Sequence, residues 1–428
     1  MAGGPGGHYV DAYGNPAIIP ASYCGPGYPG AGYGGPMGGY GEVPDLFGGA
    51  GAVIEQTGPH YFDISGEFLY WKRDELGSRF QAFTALGTSI DPSVTNIVQS
   101  TDSIDPDFEP GFRIFGRYDI GPLAVLEVGY TGLLNQTENS VASATVIDDI
   151  SGGGTGEGNL FSPFSNFGVS FLVPGSMAAG DANPFAGGIS APSGPGSEDL
   201  DVFDDTDRAL SHTLSYDSNL QSAEVNYRRY WVGFSPRLSG TLLVGFRYTR
   251  LDEEFGFSAT GIDFAPGTPA GGSPVLPLGT TTTASYSVNA DNDLLGFQIG
   301  GDASYAVRQG IRILAEGKAG LFNNDINLTT SFSTTDGTPD PFSESFSDNQ
   351  VAFISDARLA VVIDVLPSLS IKAGYELLFL NSIATAVDNI NLSGIPAGVT
   401  GVAARTTVFE DQGDALYHGA HLGVEYVW

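Results

Sequence analysis

From Tyr61 to the end, the chain repeatedly alternates apolar and polar residues. In 61–73, Phe62, Ile64, Phe68 and Tyr70 share one parity, while Asp63, Ser65, Glu67, Trp71 and Arg73 share the other. The same period-two pattern recurs in 111–119, 123–134, 218–230, 239–251, 291–306, 311–322, 350–365, 368–381 and 416–428. Such alternation predicts a β-strand with two unlike faces. In 239–251 the apolar face is Leu242, Val244, Phe246 and Tyr248, opposed by Arg247. In 368–381 it is Leu369, Ile371, Tyr375, Leu377 and Phe379, opposed by Lys372 and Glu376.

The connections between these ten stretches alternate in length. Turns near 120–122, 231–237, 307–310 and 366–367 are short, whereas 74–110, 135–217, 252–290, 323–349 and 382–413 are long. Short turns on one side and long loops on the other describe an outer-membrane barrel. The expected fold is therefore all-β: a transmembrane, antiparallel, up-and-down β-barrel of about ten strands with long extracellular loops. Segments 254–262 and 281–289 either pair beyond the membrane or add a hairpin, which makes twelve. On this topology both termini are periplasmic. The last strand ends on the aromatic-rich alternation Leu422, Val424, Tyr426 and Trp428. That ending resembles the C-terminal signal read by bacterial barrel-assembly machinery, whose lipid-facing aromatics sit at the interface. Phe68, Val128, Phe246, Ile313, Leu359, Ile371 and Leu422 are expected to face lipid.

Composition and charge agree. Only 15% of the 428 residues are charged, glycine numbers 61 and mean hydropathy is +0.01. No run approaches the ~18 apolar residues of a membrane-spanning helix. The formal charge is −32, and the five long loops carry −28 of it. The strands and turns balance, so the excess acid is expected on the loop surface, which disfavours phosphate and nucleic-acid partners. Residues 1–60 carry no Lys or Arg and are rich in Gly, Pro and Tyr. A segment of this composition cannot bury a core of its own. It is expected to form a periplasmic arm, a disordered tail by default; if it is ordered, its tyrosines are expected to dock on another surface: a neighbouring copy in an oligomer or array, a periplasmic partner or the barrel's own lower rim. Residues 61–428 form the barrel. No charged and then apolar leader pattern opens the numbered sequence, so the barrel reading calls for one removed before it. The single cysteine, Cys24, has no lipobox around it.

Inward-facing charges are the most organised constellation. Arg113, Arg117, Arg228, Arg247, Arg312, Lys318, Arg358 and Lys372 share the inner face with Glu67, Glu127, Glu224, Asp302, Glu316, Asp356, Glu376 and Glu425. Eight bases meet eight acids, as a filled lumen demands, because a buried charge persists only when paired. A structural network is the favoured reading, and a narrow ion path is the alternative. In the loops, carboxylates cluster at Asp102, Asp105, Asp107 and Glu109, and at Asp201, Asp204, Asp205 and Asp207. Carboxylate oxygens suit weak Ca²⁺ binding, but the EF-hand spacing is missing and a solvated acidic surface is the plainer reading. His418 and His421 lie on opposite faces of one strand and cannot share a metal. His212, near Asp204–Asp207, has the residue types of an Asp/His rim-protease site. No nucleophile elbow, P-loop or zinc pattern accompanies it, so no enzyme is expected, and no cofactor.

The stretches EFLYW (67–71), LLVGFRYTRLDE (242–253), DNDLLGFQIGGD (291–302) and ILAEGKAGLFNN (313–324) resemble a family of planctomycete outer-membrane β-barrel proteins, mostly of unknown function. The resemblance spans 61–428 in broken blocks. It implies fold and location, with outer-membrane lipid as the surroundings, and little about substrate. The expected role is structural or surface-interacting, with a porin-like channel for small solutes or ions as the alternative.

Overall fold

The computed structural model describes residues 62–427 except 75, 77–79, 88–95, 122, 148–157, 165–207, 236, 264–279, 336–340 and 392–408. The N-terminal arm, Asp201–Asp207 and Trp428 therefore lie outside the described residues.

Ten antiparallel strands close into a ring. They are β1 (Phe62–Arg73), β4 (Glu109–Gly121), β5 (Ala124–Ser143), β7 (Ser211–Val232), β8 (Leu238–Asp263), β9 (Thr280–Arg308), β10 (Ile311–Thr334), β11 (Phe342–Leu366), β12 (Leu369–Ile383) and β13 (Gly413–Val427). The first and last strands seal the barrel, with Asp63 opposite Val427 and Arg73 opposite Tyr417. Three short strands, β2 (Ala82–Leu86), β3 (Asn96–Ser100) and β6 (Leu160–Phe161), form a separate small sheet ordered β3-β2-β6. Among the described residues, no helix is long and apolar enough to cross a membrane.

Alternation decides which way each side chain points. Phe68, Val128, Phe246, Ile313, Leu359, Ile371 and Leu422 all lie exposed on the outer wall, and Phe246 keeps 66% of its surface. Such an exposed apolar band is stable only in hydrocarbon. Tyr70, Tyr248 and Tyr375 border it towards the loop end, and Tyr118, Tyr305 and Tyr426 towards the turn end. Leu422, Val424 and Tyr426 are likewise on the outer face. The tight turn between β9 and β10 uses Gly310 at φ +74°, a conformation that costs glycine nothing.

The strands run well past the ends that the alternation suggests. Segments 254–262 and 281–289 continue β8 and β9 and pair with each other, Thr260 opposite Thr283, so the ring stays at ten. Likewise β10 and β11 remain paired as far as Phe332 and Phe342. The physical reason is an exchange of faces. On β8 the outer positions Leu242, Val244, Phe246 and Tyr248 are followed by Arg250, Asp252 and Glu254. At the same height the inner positions change from Arg247 and Thr249 to Leu251, Phe255, Phe257 and Ala259, all buried. Past the lipid belt, water lies outside, and the apolar face turns inward. A search for apolar residues on the outer parity therefore stops at the belt.

The wall is uneven. β5 and β7 to β11 extend beyond the belt at the loop end, whereas β1, β4, β12 and β13 stop near it. The inner face of the tall wall is covered by chain from the loops. Phe83 of β2 packs on Phe255 and Phe257, with ring centroids 5.0 and 5.6 Å away. Phe164 packs on Phe257, Tyr286 and Phe332. The segment 384–391 is buried along its whole length. It is held by Asn292, which accepts from the Ala384 N–H and donates to its carbonyl, and by Tyr286, which accepts from the Asn391 N–H. This forms a hydrophobic core inside the loop end.

Inward glycines make room for inward aromatics on the neighbouring strand. Gly129 stands opposite Phe115 and Gly419 opposite Trp71. A Cβ on Gly129 would lie 2.0 Å from the Phe115 ring, and one on Gly419 would lie 2.6 Å from the Trp71 Cα.

Arginine in place of Phe246 or Leu359, at mid-belt, is expected to cost roughly 2–4 kcal/mol of folding free energy in lipid vesicles. Arginine at Asp325, on the outer wall past the belt, is expected to cost nearly nothing. Equal costs at both positions in urea titrations would place the belt wrongly.

Candidate functional site

The lumen is built by residues of the inner parity, and all sixteen charged residues assigned to that face lie there, none of them exposed. Register brings them together. Across β9, β10, β11 and β12, one ladder reads Asp302, Glu316, Arg358 and Glu376. Neighbouring rungs pair Lys318 with Asp356, Glu67 with Arg113, Arg117 with Glu127, and Glu224 with Arg247. Opposite charges on adjacent strands attract, so these pairs favour this register, while Asp302 and Glu316, both acids on facing positions, share Arg228.

Contacts also cross the lumen. Arg113 makes a two-pronged bond to Glu376, both N–O distances 2.6 Å, and reaches Glu67 at 3.2 Å. Arg358 donates to Glu67 at 3.0 Å and also bonds Glu316. Arg228 gathers three carboxylates: Glu127 at 2.8 Å, Asp302 at 2.8 Å and Glu316 at 2.5 Å. Lys318 bonds Glu224 at 2.7 Å, and Gln298 donates to the same carboxylate at 2.6 Å. Lys372 pairs with Glu425, and Arg117 stands 3.8 Å from it. Arg247 and Asp356 are looser, at 3.7 Å, and Arg312 pairs with Asp364 at 3.5 Å.

Directly above, towards the loop end, the lumen is apolar. Leu69, Trp71, Leu220, Leu251, Leu294, Phe322, Ile354, Leu378 and Tyr417 form a buried layer drawn from most strands of the ring. Above that, Arg73 pairs with Glu253, both fully buried, and also donates to the Tyr216 hydroxyl. The second oxygen of Glu253 accepts from the Ala386 N–H at 2.9 Å, which ties 384–391 to the wall. Burial pushes the Glu253 carboxyl above its usual range, and Arg73 opposes that rise.

Sequence pattern alone misses several of these groups. Arg73 falls on the inner parity, but its partner Glu253 falls in a stretch that reads as loop. Asn226 donates to Glu127, Gln298 donates to Glu224 and Asn226, and His421 stands 3.9 Å from Glu376, none of them part of a charge pattern. Their signal is inward parity beside charged neighbours. The acidic neighbours expected beside His212, Asp204–Asp207, lie outside the described residues. His212 itself is fully buried under the small sheet, 2.9 Å from the Thr84 hydroxyl and edge-on to Phe257. Asp105 pairs with Lys72 on the surface at 2.7 Å. Among the described residues, no group of His, Cys, Asp and Glu is arranged to hold a metal.

At the turn end, the lumen opens into a small cavity of about 70 Å³, lined by Arg117, Arg228, Arg312 and Lys372 with Asp302, Glu316 and Glu425.

The family model described as "Putative beta barrel porin-7 (BBP7)" matches residues 211–428. The chain belongs to that family. The match covers β7 to β13, the tall wall and the closing strands of this BBP7 barrel. No curated protein matches the sequence. Among solved structures, the outer membrane protease OmpT from Escherichia coli aligns with TM-score 0.38 at 9% identity, covering 86% of this chain and 97% of that one. A major outer membrane protein from Thermus thermophilus aligns with TM-score 0.27 at 9% identity, over 86% and 100% of the two chains. The P. putida toluene transporter TodX gives 0.24 at 7%, over 86% and 91%. At these TM-scores none of the three bears on what the BBP7 barrel does. The protein is a porin-like β-barrel of the bacterial outer membrane.

Replacing Arg228 by Met leaves Asp302 without its cation and takes one cation each from Glu127 and Glu316, which keep Arg117 and Arg358. Breaking a buried pair of this kind is expected to cost about 3–5 kcal/mol. Lys72→Met, which removes an exposed pair, is expected to leave stability unchanged. Equilibrium unfolding in vesicles measures both, and a loss near zero for Arg228→Met would mean that water already fills the network.

Proposed function

We propose that this barrel is a closed outer-membrane protein that works through its loop end, in a structural or surface-interaction role and without catalysis. The observation that carries this reading is the buried apolar layer stacked on the self-paired charge network. An ion path needs continuous water, whereas Leu69, Leu251, Leu294, Phe322 and Leu378 offer an ion nothing to replace its hydration shell. Porins with aqueous channels are wider, at about sixteen strands, while rings near eight strands are filled by their own side chains.

The turn end, with both termini, is assigned to the periplasm because short turns lie on that side in barrels of this kind. The loop end then faces outward, with its acidic surface as the working face. Weak Ca²⁺ bridging at Asp201, Asp204, Asp205 and Asp207, and docking of the 1–60 arm in an oligomer or array, belong to the same proposal.

Membership of a porin family favours the second reading, a narrow channel. Planar-bilayer recording separates the two. The refolded protein is expected to show no discrete conductance steps. Steady single-channel steps from the intact chain would establish the channel instead.

Sidedness has its own test. A membrane-impermeant thiol reagent is expected to leave Cys24 unlabelled on intact cells and to label it after the outer membrane is permeabilised. Labelling on intact cells would reverse the assigned orientation.

A further inference from the structure

The cavity at the turn end is a blind pocket. It opens away from the loops and stops against the charge network, so it cannot pass a solute onward if the closed-lumen reading holds. Its chemistry is uneven. Glu425 answers both Lys372 and Arg117, and Arg117 also shares Glu127 with Arg228. Arg312 lines the pocket with a single ion pair, to Asp364 at 3.5 Å. Each guanidinium carries five N–H donors and each ammonium three. The lining therefore holds more donors than its carboxylates can satisfy. Arg228 also lines the pocket, with its terminal nitrogens on Glu127, Asp302 and Glu316. Tyr230, Ser239, Thr241 and Ser304 complete the polar rim.

We propose that this pocket binds a small oxyanion, a phosphate or a carboxylate, at the turn end of the lumen. An oxyanion brings the acceptors that the lining lacks, and guanidinium groups match its geometry in paired hydrogen bonds. The cavity of about 70 Å³ has room for an anion of a few heavy atoms. Because the pocket lies on the inner parity, a lipid headgroup held at the outer wall does not reach it. Arg312 is the selecting group, since it is committed to only one loose partner. The pocket's occupancy also bears on stability, because a bound anion would tie β4, β7, β10 and β12 together at the turn end.

The test uses the full-length refolded barrel in detergent, titrated separately with inorganic phosphate, acetate and calcium chloride at matched ionic strength. Calorimetry reads binding, and the thermal midpoint reads stabilisation by mass action. Saturable binding of one anion per barrel, with a raised midpoint, is expected for phosphate or acetate, and their relative affinities tell which oxyanion fits. Arg312→Gln is expected to weaken it by roughly tenfold or more, about 1.4 kcal/mol. Ser304→Asp, which places a competing carboxylate on the same cations, is expected to abolish it while the barrel stays folded. The control Arg250→Gln, on the outer wall, leaves it unchanged. The proposal is overturned if neither anion binds saturably, if Arg312→Gln and Ser304→Asp bind as the wild type does, or if calcium alone binds. Conductance plays no part in these readouts, so an open lumen and an empty pocket remain separable results.

Discussion

A ten-stranded ring leaves room inside for side chains and little else, and every inner position must find company there. That constraint shapes the whole molecule. Inside the lipid belt the outer face is committed to apolar residues, so the polar residues there must take the inner face, and charges among them are tolerable only in pairs. The pairs then do structural work. Glu316 answers Arg228 and Arg358, Glu67 answers Arg113 and Arg358, and Arg113 joins Glu67 to Glu376 on the other side of the ring's seam. Strands distant in sequence are thus cross-linked through the lumen as well as along their edges. A one-residue slip on any strand would turn its charges out into lipid.

Past the belt the same constraint acts with its sign reversed. Water outside allows Arg250, Asp252 and Asp325 on the wall, and the interior becomes a hydrophobic core of ordinary kind. The tall strands β5 and β7 to β11 cannot enclose that core alone, because the neighbouring strands stop short. The small sheet and residues 384–391 supply the missing layer, as one sheet packs on another in a sandwich. Arg73 and Glu253 sit where the two regimes meet, and their contact with the Ala386 N–H fastens the cover to the barrel.

Much of this is legible in the sequence because alternation has one period throughout. Strand number, order, parity and the lumen charges all follow from it, as does the placement of Phe246 outside and Arg247 inside. What stays hidden depends on which solvent each face meets. The pattern Phe255, Phe257, Ala259 is as regular as Leu242, Val244, Phe246, but its apolar parity is the opposite one, and the change at Arg250 reads as a strand end. The inward folding of 82–86, 96–100 and 384–391 depends on gaps left by the short strands, which no local pattern records. The partners of Arg73 and Arg228 lie far along the chain, and only closure of the ring brings them together.

The central claim is that the lumen is sealed between the turn-end cavity and the loop end. Scanning single cysteines in a Cys24→Ser background tests it most directly, with a small, charged thiol reagent added to the folded barrel in detergent. Ser304→Cys, at the mouth of the cavity, is expected to react readily. Ala352→Cys, on the inner face of β11 within the apolar layer, is expected to stay unreacted until the protein is unfolded. Rapid modification of Ala352→Cys in the native barrel would show a water-filled path through that layer and contradict the account.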